Sequence, residues 1–129
     1  MKAVLMVATL FLFVACSSNE VAIGNKTTME VNESFDAGRV IKGEKITAKF
    51  TVKNTGGYPL VIADVKVACS CTLASKPEDP IAPGESAVIE AVVDTEKTGS
   101  GALTKAVTII SNTTPSTTDV LIKATVVSN

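Results

Sequence analysis

Apolar and polar residues alternate in several short segments of the chain, and this alternation constrains the fold more than any other feature. Between residues 46 and 52 every second side chain is apolar, and those between are Thr or Lys. Successive side chains of a strand point to opposite faces, so the pattern predicts strands with one buried face. Later segments repeat it with inward positions Ala87, Ile89, Ala91 and Val93, then Val107 and Ile109, then Val120, Ile122, Ala124 and Val126.

Turn-forming residues separate these segments. Pro83 and Gly84 predict a type II turn, because these residue types favour its two central positions. Asp64 interrupts the apolar segment 60–68 and indicates a bulge or bend. Two prolines exclude residues 76–80 from a central strand.

The spacing of these segments predicts the fold class. With a first strand near residues 29–35 there are about seven short strands, with no amphipathic helix and no internal repeat. We therefore expect an all-β, immunoglobulin-like sandwich of two sheets and about seven antiparallel strands, with Phe50 as its largest core side chain. The chain has no Trp, so the Cys…Trp…Cys signature of antibody domains is absent.

The first residues predict export. Lys2 precedes a 13-residue segment, 3–15, in which Thr9 is the one polar residue. This is shorter than the roughly 20 residues of a transmembrane helix and matches the apolar region of a signal peptide. The segment ends in Phe13-Val14-Ala15-Cys16, which resembles a bacterial lipobox, with Phe13 where Leu is usual. The alternative is a plain secreted protein with an incidental Cys16.

The lipobox divides the chain into three expected parts. Residues 1–15 are a lipoprotein signal peptide, residues 16–28 are a tether lipidated on Cys16, and residues 29–129 are the folded domain. The tether is polar, with small residues and no periodicity. Ser17 rather than Asp follows the cysteine, which by analogy with Gram-negative sorting favours the outer membrane. The expected location is therefore the cell envelope, with the domain facing the periplasm or the cell surface.

Composition excludes several classes of function. The net charge is −1, so no strong field attracts nucleic acid. The chain has no histidine, which excludes Ser-His and Cys-His catalysis and His-ligated metal centres. We expect no enzyme activity, no cofactor, no resident metal and no small-molecule substrate.

Spaced motifs then resemble a known family. They are Phe35-x-x-Gly38-x-Val40-x-x-Gly43-Glu44, Phe50-x-x-x-Asn54-x-Gly56, Pro59-Leu60-x-Ile62-x-x-Val65, Cys69-x-Cys71-Thr72, Ile81-x-Pro83-Gly84-Glu85, Asp94-Thr95, Gly101, Lys105 and Ser111-Asn112. In this order and spacing the chain, from about residue 30 to its end, resembles the bacterial domain of unknown function 1573. The resemblance implies an immunoglobulin-like fold common among secreted lipoproteins, without an established activity.

Cys69 and Cys71 form the reactive constellation of the predicted domain. If this segment is extended, residues two apart face the same side and the sulfurs lie together. The pair could form a tight disulfide suited to redox exchange, hold a soft ion such as Cu(I), or cap a sheet end without chemistry. Zinc is disfavoured because a structural site takes four ligands.

Two functions from different classes follow. The first is a non-enzymatic envelope lipoprotein whose domain binds an unidentified protein or helps to organise the cell envelope, with an exposed edge strand as the contact surface. The second is a thiol-active accessory protein that exchanges disulfides or transfers Cu(I) through Cys69 and Cys71. The reactivity of the two thiols in the folded state distinguishes them.

Overall fold

The computed structural model describes residues 25–128, and the predicted signal peptide, Cys16 and most of the predicted tether lie outside them. Within residues 25–128 no helix has the length and apolar character needed to cross a membrane. A short 3₁₀ turn, Thr95–Lys97, follows the sixth strand. The strands are β1 (Met29–Val31), β2 (Ser34–Ile41), β3 (Lys45–Asn54), β4 (Ile62–Val67), β5 (Thr72–Ser75), β6 (Ser86–Asp94), β7 (Gly101–Ser111) and β8 (Thr117–Val127).

The strands form two packed four-stranded sheets, so the predicted all-β sandwich is confirmed. One sheet has the order β1-β3-β6-β5 and the other the order β2-β8-β7-β4. The first of these corresponds to the four-stranded sheet of constant-type immunoglobulin domains. Both sheets and the core between them are formed by residues within 25–128.

The predicted strand count and orientation need correction. Residues 25–128 form eight strands rather than about seven, and β2 pairs with β8 in parallel. The reason is that the expected first strand is divided: β1 pairs with β3 in one sheet, and β2 crosses to the other sheet. Sequence patterns also miss β5, because four residues are too few to show an alternation.

The core lies between the two sheets and consists mainly of aliphatic side chains. Inward and outward residues alternate without exception along β3, as predicted. Phe50 is fully buried and is the largest of the fully buried side chains, which confirms its expected place. Among the residues buried with it are Val52, Leu60, Ile89, Val93, Val107, Ile109, Val120 and Ile122.

Two local predictions are also confirmed. The register between β4 and β7 shifts between Ile62 and Asp64, which is the expected irregularity. At the predicted turn, the Glu85 N–H donates to the Ala82 carbonyl at 2.9 Å. Gly84 has φ +81°, the left-handed conformation that the second central position of a type II turn requires.

The sandwich has two ends, and β3 runs from one to the other. At the Asn54 end, which we define by loops 55–61, 82–85 and 112–116, the Asn54 N–H donates to the Glu85 carbonyl. The other end, defined by turns 42–44, 68–71 and 95–97, carries a Cys69–Cys71 disulfide and is called the disulfide end. There the Asp94 N–H donates to the Cys71 carbonyl. Ten residues at about 3.3 Å each separate the ends by about 30 Å.

Candidate functional site

Cys69 and Cys71 lie in the connection between β4 and β5, which carries the chain from one sheet to the other. The segment is not extended: residues 68–71 form a bend and turn, and the Thr72 N–H donates to the Cys69 carbonyl at 3.2 Å. The two Cα atoms are 5.3 Å apart, whereas extended residues two apart are separated by about 6.6 Å. The turn, rather than strand geometry, therefore brings the sulfurs together.

The structure joins Cys69 and Cys71 in a disulfide. Cys71 is 5% exposed and Cys69 is half-buried, so Cys69 is the partner more open to solvent. The Cys71 N–H donates to Cys69 Sγ at 3.2 Å, and Thr72 Oγ1 lies 3.5 Å from Cys71 Sγ. An external thiol would therefore meet the sulfur of Cys69 first.

The disulfide has a structural role at this position. It closes the turn that directs β5 onto β6, where the Asp94 N–H donates to the Cys71 carbonyl at 2.7 Å. Because only one residue separates the cysteines, the bridge restricts the unfolded chain much less than a long-range disulfide does. The bridge therefore shapes the start of β5 more than it stabilises the whole domain.

The site offers no ready metal centre among the described residues. Residues 25–128 contain no group of three or more Cys, Asp or Glu side chains placed to hold a metal ion. A disulfide also offers no thiolate ligands, since metals bind the deprotonated thiol. The Cu(I) alternative thus requires the bridge to be reduced first.

The strand that follows the disulfide carries the most exposed large apolar side chain of the described residues. Leu73 is 76% exposed and lies on the outer face of its sheet, opposite Val92 of β6. Val88, on the same face of β6, is 51% exposed. Sequence reasoning missed this surface because β5 itself was not recognised; the residue sequence Thr-Leu-Ala-Ser contains no pattern that identifies a strand.

The opposite end is organised by Asn54, which is fully buried. Its side-chain oxygen accepts hydrogen bonds from the Thr27 hydroxyl at 2.8 Å and from the Gly56 N–H at 3.0 Å. Its amide nitrogen donates to the carbonyls of Tyr58 at 2.7 Å and Ile81 at 2.9 Å. Asn54 therefore shapes its own turn and also ties that turn to two other segments.

Asn112 makes a second connection at the Asn54 end. Its side chain accepts from the Val61 N–H at 2.8 Å and donates to the carbonyls of Pro59 at 2.9 Å and Asn25 at 3.1 Å. Thr27 is 5% exposed, and its N–H donates to the Asn112 carbonyl. Residues 25–28, predicted to belong to the tether, are thus held against the domain. The contacts of the folded domain therefore begin before Met29.

The fold and this arrangement define an immunoglobulin-like sandwich of two sheets. The ASH/PapD-like domain 7 of human CEP192 is similar in structure, with TM-score 0.58 and 11% identity, covering 81% of this chain and 88% of that one. At this identity the likeness concerns the fold alone.

The chain belongs to the family described as "Protein of unknown function (DUF1573)", whose model matches residues 19–126. This match confirms the resemblance seen in the spaced motifs. No curated protein is detectably similar in sequence.

Two bacterial structures are also similar. A protein of unknown function from Porphyromonas gingivalis W83 has TM-score 0.70 and 24% identity over 83% of this chain and 51% of that one. The Vibrio cholerae VesB protease has TM-score 0.60 and 14% identity over 76% of this chain and 31% of that one. This chain therefore spans about half of the first protein and about a third of the second, and the likeness to each is one of fold.

Proposed function

We propose that this protein is a non-enzymatic lipoprotein of the Gram-negative cell envelope, anchored through Cys16, whose immunoglobulin-like domain binds another protein. The lipobox at residues 13–16 supports the anchor, and Ser17 supports the outer membrane as its site. The absence of histidine from the sequence supports a binding role over acyl-transfer catalysis. The family itself carries no described activity.

The observation that carries the proposal is the end of the sandwich at which the chain from Cys16 joins the domain. Asn25 and Thr27 are bonded to the Asn54 end, and Asn25 follows Cys16 by nine residues. Nine residues span at most about 30 Å, so an anchor on Cys16 would keep this end near the lipid. The disulfide end, with Leu73 and β5, lies about 30 Å further along the sandwich and would face away from the membrane.

Metabolic labelling with an alkyne fatty acid tests the anchor. We expect the full-length protein to incorporate the label and to sediment with membranes, because more than one acyl chain makes anchoring stable. Cys16→Ser should abolish both, whereas the double variant Cys69→Ser/Cys71→Ser should keep both. Labelling that persists in Cys16→Ser, or a parent protein that is unlabelled and soluble, would contradict the lipoprotein assignment.

A second candidate function is disulfide exchange, and the accessibility of Cys69 is the observation that favours it. A thiolate of a partner dithiol would attack Cys69 Sγ, break the bond to Cys71 and release Cys71 as a thiolate. The second thiol of the partner would then displace Cys69, leaving two protein thiols and an oxidised partner. The electrons come from that dithiol, so the reaction is a balanced exchange.

Alkylation followed by intact-mass measurement separates the two functions. If the pair is exchange-active, the folded domain should gain two alkyl groups after mild treatment with a dithiol and none without it. If the bridge is only structural, alkylation should require denaturation as well as reductant. Repeating the measurement after reduction and incubation with Cu(I) reports whether the reduced pair retains one copper ion.

A further inference from the structure

We propose that the open edge of β5 is the binding surface, and that it takes an extended segment of the partner protein as a fifth strand of the β1-β3-β6-β5 sheet. The inferred segment places an apolar side chain beside Leu73 and a Lys or Arg near Glu78 and Asp79. The inference rests on the proposed function in one respect, that the partner is a protein.

Three of the four edge strands have features that oppose the addition of another strand. β1 has three residues, one of them the exposed Glu30. β2 has an irregular register between Asp36 and Arg39, and β4 has one between Ile62 and Asp64. Short strands, bulges and outward charges are the devices by which proteins protect sheet edges from further pairing.

The β1-β3-β6-β5 sheet has one more open edge, the part of β3 that β1 does not cover. This part is also protected from the addition of a strand. β1 pairs with residues 52–54 only, so residues 45–51 have no strand on that side within the described chain. The N–H of Thr51 is taken by the Asn32 side chain at 3.0 Å. Lys45 and Lys49 stand exposed along this stretch, which makes it a charged edge.

β5 is also short, with four residues, but it lacks the other protections. It has no charged residue, its register with β6 is regular over all four residues, and no described strand pairs with its outer side. It therefore presents a neutral, regular edge with an exposed apolar side chain. Such an edge is a ready template for another strand.

The hydrogen bonds between β5 and β6 show which backbone groups of β5 point towards β6 and which point to its open side. The Asp94 N–H donates to the Cys71 carbonyl, and Thr72 is opposite Val93. In an antiparallel ladder this places the backbone groups of Leu73 and Ser75 towards β6 and those of Ala74 away from it. The N–H and carbonyl of Ala74 thus face the open side, flanked by the carbonyl of Thr72 and the N–H of Lys76. Only an extended backbone matches this alternation of donor and acceptor.

The side chains around β5 define the partner's chemistry. Leu73 at 76% exposure has Val92 on one side and solvent on the other, so an apolar neighbour from the partner would cover it. Glu78 and Asp79 are exposed just after β5. The nearby Lys76 ammonium donates to the Ala63 carbonyl of β4 at 2.9 Å. The acidic pair therefore favours a basic residue at the end of the added strand.

The test uses residues 25–128, which hold both sheets and the core, and a defined probe, the peptide acetyl-Lys-Thr-Val-Thr-Val-Thr-Lys-amide. We expect amide NMR shifts at residues 73–76 and slower hydrogen exchange at the Ala74 N–H as the peptide is added. A peptide with Glu in place of both Lys residues should bind about two- to fivefold more weakly, the range of one exposed ion pair.

Two variants should remove binding, and one should not. Ala74→Pro deletes the outward N–H without removing a β5–β6 hydrogen bond. Leu73→Lys replaces the apolar anchor and adds a charge to the edge. Val88→Lys is the matched control, because Val88 is an exposed apolar residue on the same sheet face but belongs to the internal strand β6.

Each other outcome overturns the proposal. β5 would be excluded as the site if the amide shifts centred on other residues or if none appeared at millimolar peptide. It would also be excluded if Val88→Lys lost binding to the same extent. Shifts at residues 73–76 that depend on protein concentration alone would assign the edge to a second copy of this chain instead. The measurement does not involve Cys16, so its failure is distinct from failure of the lipid labelling.

Discussion

The two ends of the sandwich are held together in different ways. At the Asn54 end, one buried amide makes four hydrogen bonds that tie its own turn to Thr27 and Ile81, and Asn112 adds a bond to Asn25. At the disulfide end, one covalent bond closes a single turn and leaves the following strand with an open side. The hydrogen bonds at the Asn54 end fix loops to one another. The disulfide positions the edge strand β5 but leaves its outer side without a paired strand in the described chain.

If the proposed binding at β5 holds, this difference separates stability from recognition in the molecule. Removing a buried amide that makes all its hydrogen bonds is costly. Each donor or acceptor that it leaves behind stays buried away from water without a hydrogen bond. An exposed side chain such as Leu73 contributes little to folding and is available to a partner. We therefore expect the Asn54 end to dominate stability and the disulfide end to dominate binding.

The largest effect on stability is expected for Asn54→Ala. The substitution removes four hydrogen bonds and leaves the Thr27 hydroxyl and the Ile81 carbonyl buried without that partner. The free energy of unfolding should fall by about 3–5 kcal/mol, measured by denaturant titration. Asn32→Ala is the control, since Asn32 is exposed and makes one bond, to Thr51; it should cost under about 1 kcal/mol. Equal losses in the two variants would refute the role of the buried amide.

A smaller effect is expected for Gly56→Ala, which tests how residues 25–28 are attached. A Cβ at Gly56 would meet the Thr27 hydroxyl and lie 2.7 Å from the Thr28 backbone nitrogen, so this segment must shift. We expect a loss of about 1–3 kcal/mol and faster tryptic cleavage after the exposed Lys26. Gly57→Ala has open space at its Cβ and should leave both quantities unchanged. Unchanged cleavage in Gly56→Ala would show that residues 25–28 do not depend on this packing.

The double variant Cys69→Ser/Cys71→Ser should cost still less, about 1–2 kcal/mol, because the bridge closes a loop with one intervening residue. Calorimetry or denaturant titration gives the value. Hydrogen exchange should quicken at β5 and remain unchanged at the Asn54 end. A loss as large as that of Asn54→Ala would reverse the comparison between the ends.

The smallest effect on stability is expected for Leu73→Lys. Its side chain is exposed, so the unfolding free energy should stay within about 0.5 kcal/mol of the parent value. Thermal unfolding measured beside the peptide titration separates a folding defect from a binding defect. A loss of several kcal/mol would show that Leu73 packs in the domain rather than serving a partner.

The sequence predicted the long strands well and the short ones poorly, for a physical reason. Strands with one buried face, such as β3 and β8, leave a period of two over about ten residues, and Phe50 marks the core within that pattern. β5 has four residues and no such signature, so its existence depends on β6 as a template. The division of the first strand into β1 and β2 is likewise decided by tertiary pairing.

The candidate site was predictable only in part. The spacing of Cys69 and Cys71 indicated a shared local chemistry, but the turn that unites them depends on the chain crossing between sheets. The connections of Asn54 to Thr27 and Ile81 join residues 27 positions apart in the sequence, and no local pattern encodes them. Leu73 gave no signal because an isolated apolar residue in a polar stretch is common on protein surfaces.

Photo-crosslinking in intact cells tests the central claim most directly. A photoreactive amino acid at position 73 reports on β5, and the same amino acid at the exposed Tyr58 reports on the Asn54 end. We expect a discrete protein adduct from position 73, mapped to an extended basic and apolar segment, and none from position 58. A protein adduct from position 58 alone would contradict this expectation and place recognition at the end where the chain enters.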